Sequence, residues 1–146
     1  RTVLNDENIN QKGSNITAER LRFDFSPPAK LTPDQIKKIE DLVNEKIREN
    51  LPVSFTTLPK DEAIQSGARA FFGERYGGQV KVYQIGNGNN LFSREICGGP
   101  HVTFTGVLWG FTIIKEESAG AGIRRIYATV TQDETARSAQ FSSQKA

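Results

Sequence analysis

Apolar and polar side chains alternate one by one in an early segment of the chain. Between residues 20 and 25, Leu21, Phe23 and Phe25 occupy every second position, and arginines and Asp24 occupy the positions between them. Side chains along a strand point to its two faces in turn. The pattern therefore predicts a half-buried strand whose charged side chains, Asp24 included, lie on the face opposite the phenylalanines.

A helical period follows this strand. Thr32 can cap a helix, Pro33 fits a first helical turn, and Gln35 can bond back to the cap amide. Apolar residues then recur at helical spacing, with charged residues between them: Ile36, Ile39, Leu42, Val43 and Ile47. This spacing predicts an amphipathic helix from Pro33 to about Asn50.

Shorter elements fill the rest of the chain. Strands are predicted at residues 53–57, 80–85, 91–96, 107–115 and 123–130. A short helix is predicted at 60–66, and Gly67 would end it. Residues 86–90 are typical of a turn, and a Gly/Ala-rich segment at 118–122 joins the last two strands. Strands and helices mix without regular alternation. The order favours an α+β fold with a mainly antiparallel sheet, packed with the long amphipathic helix and short helices.

Composition and charge limit the class of protein. The length of 146 residues suits one domain with its own core. The balance of 19 Lys+Arg against 17 Asp+Glu leaves +2, so contact with nucleic acid would need a local basic face. One Cys excludes an internal disulfide and is typical of a reducing compartment. No apolar run is long enough to predict a membrane span.

The two ends of the chain suggest a piece of a longer protein. Met is absent, and Arg1 to Leu4 have the character of the tail of a helix. Residues 133–146 are polar, as in a linker or tail. We expect residues 1–132 to be one N-terminally truncated domain and 133–146 a polar extension.

The segment from Cys97 to His101 carries the most specific chemistry. It holds the only Cys and the only His of the chain, four positions apart and separated by Gly98, Gly99 and Pro100. Thiolate and imidazole are ligands that zinc prefers, but zinc in proteins takes three or four protein ligands. The spacing alone leaves two readings open: half of a zinc site, or a buried thiol beside a surface imidazole.

Several motifs in order resemble the editing domain of alanyl-tRNA synthetase. The resemblance rests on residues 92–102, on Thr105-Gly106 and on residues 122–126. It extends to residues 11–14, 21–26, 40–44 and 72–76, and covers the chain from about residue 1 to about residue 130. The editing domain of threonyl-tRNA synthetase and free-standing proteins that edit alanyl-tRNA are similar at a greater distance.

The resemblance implies a hydrolase that corrects errors. Such domains cut the ester that joins serine or glycine to the acceptor end of tRNA(Ala), because a pocket for alanine rejects these two amino acids weakly. It also implies that the domain belongs to a larger, ATP-dependent alanine–tRNA ligase. We expect a cytoplasmic protein, or an organellar version of it, and we make no prediction of oligomeric state.

Zinc and the site residues are likewise implied by the resemblance. Cys97 and His101 match the second half of the family's zinc site, whose first half, a His-x-x-x-His pair on a helix, would lie upstream of Arg1. We therefore expect zinc to bind weakly, if at all, to this chain by itself. Because the Cys and the His are both assigned as ligands, a water nucleophile is favoured over covalent catalysis.

Gln11, Arg124 and Arg125 are the remaining functional candidates. By the family pattern, Gln11 lies at the editing pocket, where its amide would orient water or substrate; without that pattern, it would be read as part of a turn. Arg124 is predicted to face the site and Arg125 to bind phosphate, against the alternative of solvated charges or a salt bridge.

Glycines and aromatic residues add two weaker predictions. Gly98 and Gly99 would permit a tight turn, and their amides would face the substrate ester. Phe71-Phe72 is assigned to the core in preference to a role in stacking a base of the single-stranded tRNA end.

Two departures from the family pattern keep a second function open. Pro100 stands where the family has Thr, and Trp109-Gly110 stands where it has Gly followed by an apolar residue. The alternative is a module that binds the tRNA acceptor end with little or no catalysis. A purely structural zinc domain is a third reading.

Overall fold

The computed structural model describes residues 1–71 and 75–132, and these divide into two compact units. The first unit contains Arg1–Lys46 and Leu108–Gln132, and the second contains Ile47–Val107. The class is α+β with antiparallel strand pairing, as predicted, but the strands form two sheets where the sequence suggested one. The predicted tail at 133–146 lies outside the described residues.

The sheet of the first unit has four strands in the order β1-β2-β7-β6. They are β1 (Gln11–Ile16), β2 (Leu21–Phe25), β6 (Leu108–Gly120) and β7 (Ile123–Gln132). Strands β6 and β7 are longer than the sequence suggested. Their pairing continues to Gly120, which pairs with Ile123, so only two residues remain for the turn. Helix α1 (Pro33–Arg48) belongs mostly to this unit.

The core of the first unit lies between this sheet and the start of α1. It is built on Phe25, Leu31, Ile126 and Ala128 among others, and Ile36 and Ile39 of the helix pack against it. The predicted capping box is confirmed: the Thr32 amide donates to Gln35 Oε1 at 2.9 Å, and the Gln35 amide donates to Thr32 Oγ1 at 3.1 Å.

Strand β1 was missed by the sequence reasoning. Without the family pattern, Gln11 before Gly13-Ser14 reads as part of a turn, and no strand is predicted there. In the structure Gln11 pairs with Phe25, and an irregularity between Gln11 and Gly13 accommodates the small residue. Gly13 then lies against Asp24, close enough that a Cβ would sit 3.5 Å from the carboxylate. Pairing with β2 therefore overrides the local turn preference.

Arg1 to Leu4 form turns and no regular helix. The Asn5 amide donates to the Thr2 carbonyl, and the Asp6 amide donates to the Arg1 carbonyl. Asn5 has a φ of 49°. This pair of hydrogen bonds around a left-handed residue is the pattern with which many α-helices end.

The second unit is built on a three-stranded sheet in the order β3-β4-β5. Its elements are β3 (Val53–Pro59), helix α2 (Lys60–Gln65), β4 (Gln79–Ile85) and β5 (Ser93–Ile96). One face of the sheet packs Val80, Val82 and Ile96 against Ala63 of α2 and against Ala68. Gly67 ends α2 with a φ of 84°, as predicted. The prediction for Phe72 falls on an undescribed residue, and Phe71 is half-buried.

Neither helix of the described residues is long and apolar enough to cross a membrane.

Side chains of α1 close the outer edge of β6. The Asn44 amide group donates to the Phe111 carbonyl at 2.9 Å and accepts from the Phe111 amide at 2.8 Å, as a neighbouring strand would. Glu40 accepts from the Ile113 amide at 2.9 Å. Open strand edges are prone to unwanted pairing, and these contacts satisfy backbone groups that would otherwise be available for it.

This arrangement predicts a large effect for Asn44→Ala. The change leaves the Phe111 amide and carbonyl without their partners, and we expect the free energy of unfolding to fall by about 2–4 kcal/mol. Chemical denaturation measures it. Glu45→Ala, an exposed position on the same helix, is the control and should change stability by less than about 0.5 kcal/mol. Equal effects of the two substitutions would contradict the role given to Asn44.

Candidate functional site

Strand β5 delivers Cys97 and His101 to one place in the second unit. The Cys97 amide donates to the Lys81 carbonyl at 3.1 Å, which continues the pairing with β4. After two glycines the chain returns, and His101 Nε2 lies 3.1 Å from Cys97 Sγ. The structure thus brings together the two donor atoms that the sequence singled out.

Tyr83 supports this loop, a role that no sequence pattern indicates. Its ring contacts the His101 ring edge-on, with centroids 4.3 Å apart. Gly99 has a φ of 69°, and a Cβ there would collide with the Tyr83 hydroxyl. Gly99 is therefore required both for its backbone conformation and for space, as the predicted tight turn demands. Gly98 has open space where a Cβ would stand.

The amide of Gly99 faces Cys97. It donates to Cys97 Sγ at 3.5 Å, so this N–H serves the sulfur within the loop. The amide of Gly98 is left as the stronger candidate for an ester oxygen, and that role stays a prediction.

Cys97 and His101 fit half of a zinc site by the chemistry of their donors. Burial lowers the pKa of His101, and the opposing effect of Glu95 is smaller. The lowered pKa favours the neutral imidazole, which is the form that binds metals. No group of three or more His, Cys, Asp or Glu able to hold a metal occurs in residues 1–71 and 75–132. A complete zinc site needs further ligands. The same sulfur–nitrogen contact would also suit a nucleophilic Cys–His pair.

Arg124 lies in the first unit and is bound to a carboxylate. Its Nε donates to Glu116 Oε2 at 3.2 Å, and its NH2 group forms a second, shorter contact with Glu116 Oε1. The Leu31 amide also donates to Glu116 Oε2, at 3.0 Å. Burial raises the pKa of Glu116, but the hydrogen bonds from Arg124 and Leu31 outweigh it, so the pKa lies below its ordinary value. Arg124 is thus part of a fixed ion pair.

Arg125 forms a second fixed pair on the opposite face of the strand. Its Nε and a terminal nitrogen donate to the two Asp24 oxygens at 2.8 and 2.9 Å. Asp24 is only 7% exposed, although it lies on the strand face opposite Phe23 and Phe25. The reason is the partner: a buried carboxylate is tolerated when a guanidinium binds both of its oxygens. Hydrogen bonding by Arg125 holds the pKa of Asp24 below its ordinary value, against the effect of burial.

The salt-bridge alternative therefore holds for both arginines, and their predicted contacts with substrate and phosphate stay predictions. Gln11 is half-exposed at the start of β1, in register with Phe25 and, through Phe25, with Arg124. The predicted residues thus fall into two sets. Gln11, Arg124 and Arg125 share the first unit; Cys97, Gly98, Gly99 and His101 share the second.

Sequence reasoning missed three residues that shape these sets: Asp24, Tyr83 and Glu116. The partners of Asp24 and Glu116 are visible only once the strands have paired. Tyr83 sat on a strand face whose environment the sequence did not specify. Trp109, singled out as a departure, is 67% exposed on β6.

Comparison with known proteins finds a matching family model and several relatives of this chain. Residues 80–127 match the family model described as the threonyl and alanyl tRNA synthetase second additional domain. The chain is 54% identical over 130 residues to an alanine–tRNA ligase of Treponema denticola and 52% identical over 122 residues to one of Borrelia hermsii. An alanine–tRNA ligase of Dehalococcoides mccartyi is 45% identical over 133 residues.

These alignments cover most of this chain and little of the relatives. They include 89%, 84% and 91% of the chain, in the order given, but 21%, 20% and 15% of the three relatives. The chain thus spans about a fifth of the length of the first two. It is related to alanine–tRNA ligases in the region of their second additional domain.

The pair of Asp24 and Arg125 predicts an acid-sensitive contribution to stability. Asp24→Asn should lower the free energy of unfolding at pH 7 by about 2 kcal/mol, less than the 3–5 kcal/mol of a fully buried pair because the Arg125 side chain is 27% exposed. A carboxylate with a depressed folded pKa stabilises above its unfolded pKa and loses this effect as pH falls. The difference between wild type and variant should shrink below about pH 4.

Thermal unfolding across this pH range measures the effect. Asp41→Asn is the control, since Asp41 forms an exposed pair with Lys37 and should change stability by less than about 0.5 kcal/mol. A difference for Asp24→Asn that stays constant with pH would contradict the linkage.

Proposed function

We propose that this chain, a relative of alanine–tRNA ligases, is the part of such an enzyme that hydrolyses the ester of mischarged tRNA(Ala). The observation that carries the proposal is the contact of Cys97 Sγ and His101 Nε2 at 3.1 Å in a chain 54% identical to a named alanine–tRNA ligase. The substrates would be serine or glycine esterified to the tRNA acceptor end, and the whole enzyme would be an ATP-dependent ligase of the cytoplasm.

Zinc is proposed as the resident metal of the intact protein. Cys97 Sγ and His101 Nε2 would hold it, together with two histidines that the family resemblance implies upstream of Arg1. When bound, zinc would supply a Lewis acid at the reacting ester or water. The helix-ending turn at residues 1–6 is consistent with a helix leading into this chain, as the upstream pair requires.

The other residues would bind and orient. Gln11 can donate to a carbonyl or accept from an attacking water through its amide group. The Gly98 amide can donate to an ester oxygen as charge develops there. Arg124 would face the site and Arg125 would bind phosphate. Each is already paired with a carboxylate, which prevents its guanidinium group from reorienting.

Metal removal separates a zinc-organised site from a covalent Cys–His pair. We expect chelation of the complete gene product to abolish release of serine from Ser-tRNA(Ala), and zinc to restore it. Cys97→Ala and His101→Ala should both lose the activity and the bound zinc. Activity that survives chelation, with an amino acid trapped on Cys97, would instead assign the thiol as nucleophile.

Gln11→Ala tests the role of the first unit. Loss of one neutral hydrogen bond to water or substrate should lower kcat/KM for serine release by about tenfold, with zinc content unchanged. Steady-state deacylation with a metal assay on the same sample measures both. A purely structural zinc domain would leave the rate unchanged.

A second function has one observation in its favour. Trp109, which departs from the family pattern, exposes 67% of its surface, and Trp is enriched where proteins contact partners. A module that binds the acceptor end with little catalysis would bind mischarged tRNA without releasing serine. The deacylation assay therefore decides between the two functions.

A further inference from the structure

The face of the three-stranded sheet that carries Cys97 and His101 is open. Phe55, Tyr83 and Glu95 lie in register across β3, β4 and β5, and the opposite face holds the core of the second unit. Phe55 is 51% exposed, although its ring is large and apolar. About half of the Phe55 side chain is therefore accessible to a ligand.

Aromatic rings on this face form a continuous row that ends at the Cys–His pair. The rings of Phe55 and Tyr83 have centroids 5.2 Å apart with a tilt of 42°. The rings of Tyr83 and His101 are 4.3 Å apart. Tyr83 alone thus separates the ring of Phe55 from that of His101, within the reach of one nucleoside and its ester.

A positive charge stands beside the exposed ring. Lys81 Nζ lies 4.7 Å from the centroid of the Phe55 ring, held there by cation–π attraction. The negative charge on this face, Glu95, flanks Tyr83 on the other side, in the strand opposite Phe55. A bound polyanion would therefore place its phosphate at Lys81 and avoid Glu95.

We propose that Phe55 and Lys81 form a platform for an unpaired nucleotide of single-stranded RNA, with the base stacked on Phe55 and the phosphate at Lys81. An exposed aromatic ring with an adjacent cation is the arrangement that binds single strands without regard to sequence. The inference rests on the proposed function, since the RNA would be the acceptor end that brings its ester to Cys97 and His101.

Binding of a short fluorescent oligoadenylate to the 146-residue chain tests the platform. Phe55→Ala should weaken binding about 5- to 150-fold, the range of one lost base stack. Phe92→Ala and Phe104→Ala are matched controls: both phenylalanines belong to the same unit, at 44% and 46% exposure, outside this aromatic row. These controls should leave binding unchanged.

Two further readouts separate stacking from a general loss of structure. An abasic backbone of the same length should bind wild type and Phe55→Ala equally, because it has no base to stack. Lys81→Gln should reduce the slope of log affinity against log salt by about 0.7, the effect of one lost phosphate contact to a single strand. Circular dichroism on each variant confirms that it is folded.

The outcomes distinguish this inference from the proposed function. If Phe55→Ala binds like the two controls, or if the salt slope is unchanged in Lys81→Gln, the platform is wrong. Serine release that depends on Cys97 and His101 would then still stand. If Phe55→Ala weakens RNA binding but the complete gene product never releases serine, the platform stands and the hydrolase is wrong.

Discussion

The first unit depends on two consecutive arginines of a central strand. Strand β7 lies between β2 and β6, and Arg124 and Arg125 point to its opposite faces. Arg125 binds Asp24 of β2, and Arg124 binds Glu116 of β6. Each neighbouring strand is thus tied to the centre by one ion pair. A shift in register by one residue would separate both pairs, so the charges specify the pairing as well as stabilise it.

A few polar side chains hold helix α1 to the sheet. Glu116 binds the Leu31 amide just before α1 begins, and Glu40 and Asn44 bind the edge of β6 farther along the helix. These polar contacts flank the apolar packing of Ile36 and Ile39. Hydrophobic packing is tolerant of small shifts, whereas hydrogen bonds to particular backbone atoms are directional. The position of α1 along β6 therefore follows from the polar side chains.

Most elements could be predicted from the sequence, because their period and end signals agree. The capping box at Thr32 and Gln35 and the glycine after α2 were read from local residues alone and are confirmed. Strand β1 could not be read in this way, since its residues favour a turn and only pairing with β2 makes a strand. The burial of Asp24 could not be read locally either, because its partner lies 101 positions away, on β7.

The candidate site was predictable only in its most unusual residues. Cys97 and His101 stood out because each is the sole residue of its type, and the structure places their donor atoms together. The roles predicted for Gln11, Arg124 and Arg125 rest on the resemblance. The structure shows the carboxylates that pair with the two arginines, and the contacts with substrate stay predictions. The contact of Tyr83 with the glycine loop could not be predicted either, because nothing in the sequence of a strand indicates which loop its aromatic residue will support.

In the second unit, contacts hold the Cys97–His101 loop in place, whereas the ring of Phe55 is exposed. The Cys97–His101 loop is fixed from several sides: the Lys81 carbonyl accepts from the Cys97 amide, the Gly99 amide donates to the sulfur, and Tyr83 contacts the imidazole ring. Chemistry at an ester requires such fixed groups, since small displacements of a reacting atom are costly. Phe55, in contrast, is exposed, as a contact that accepts and releases a strand would be. Because Tyr83 packs against both Phe55 and His101, placement of a base on Phe55 and orientation of the imidazole share one support. Substitution of Tyr83 would therefore disturb binding and chemistry together.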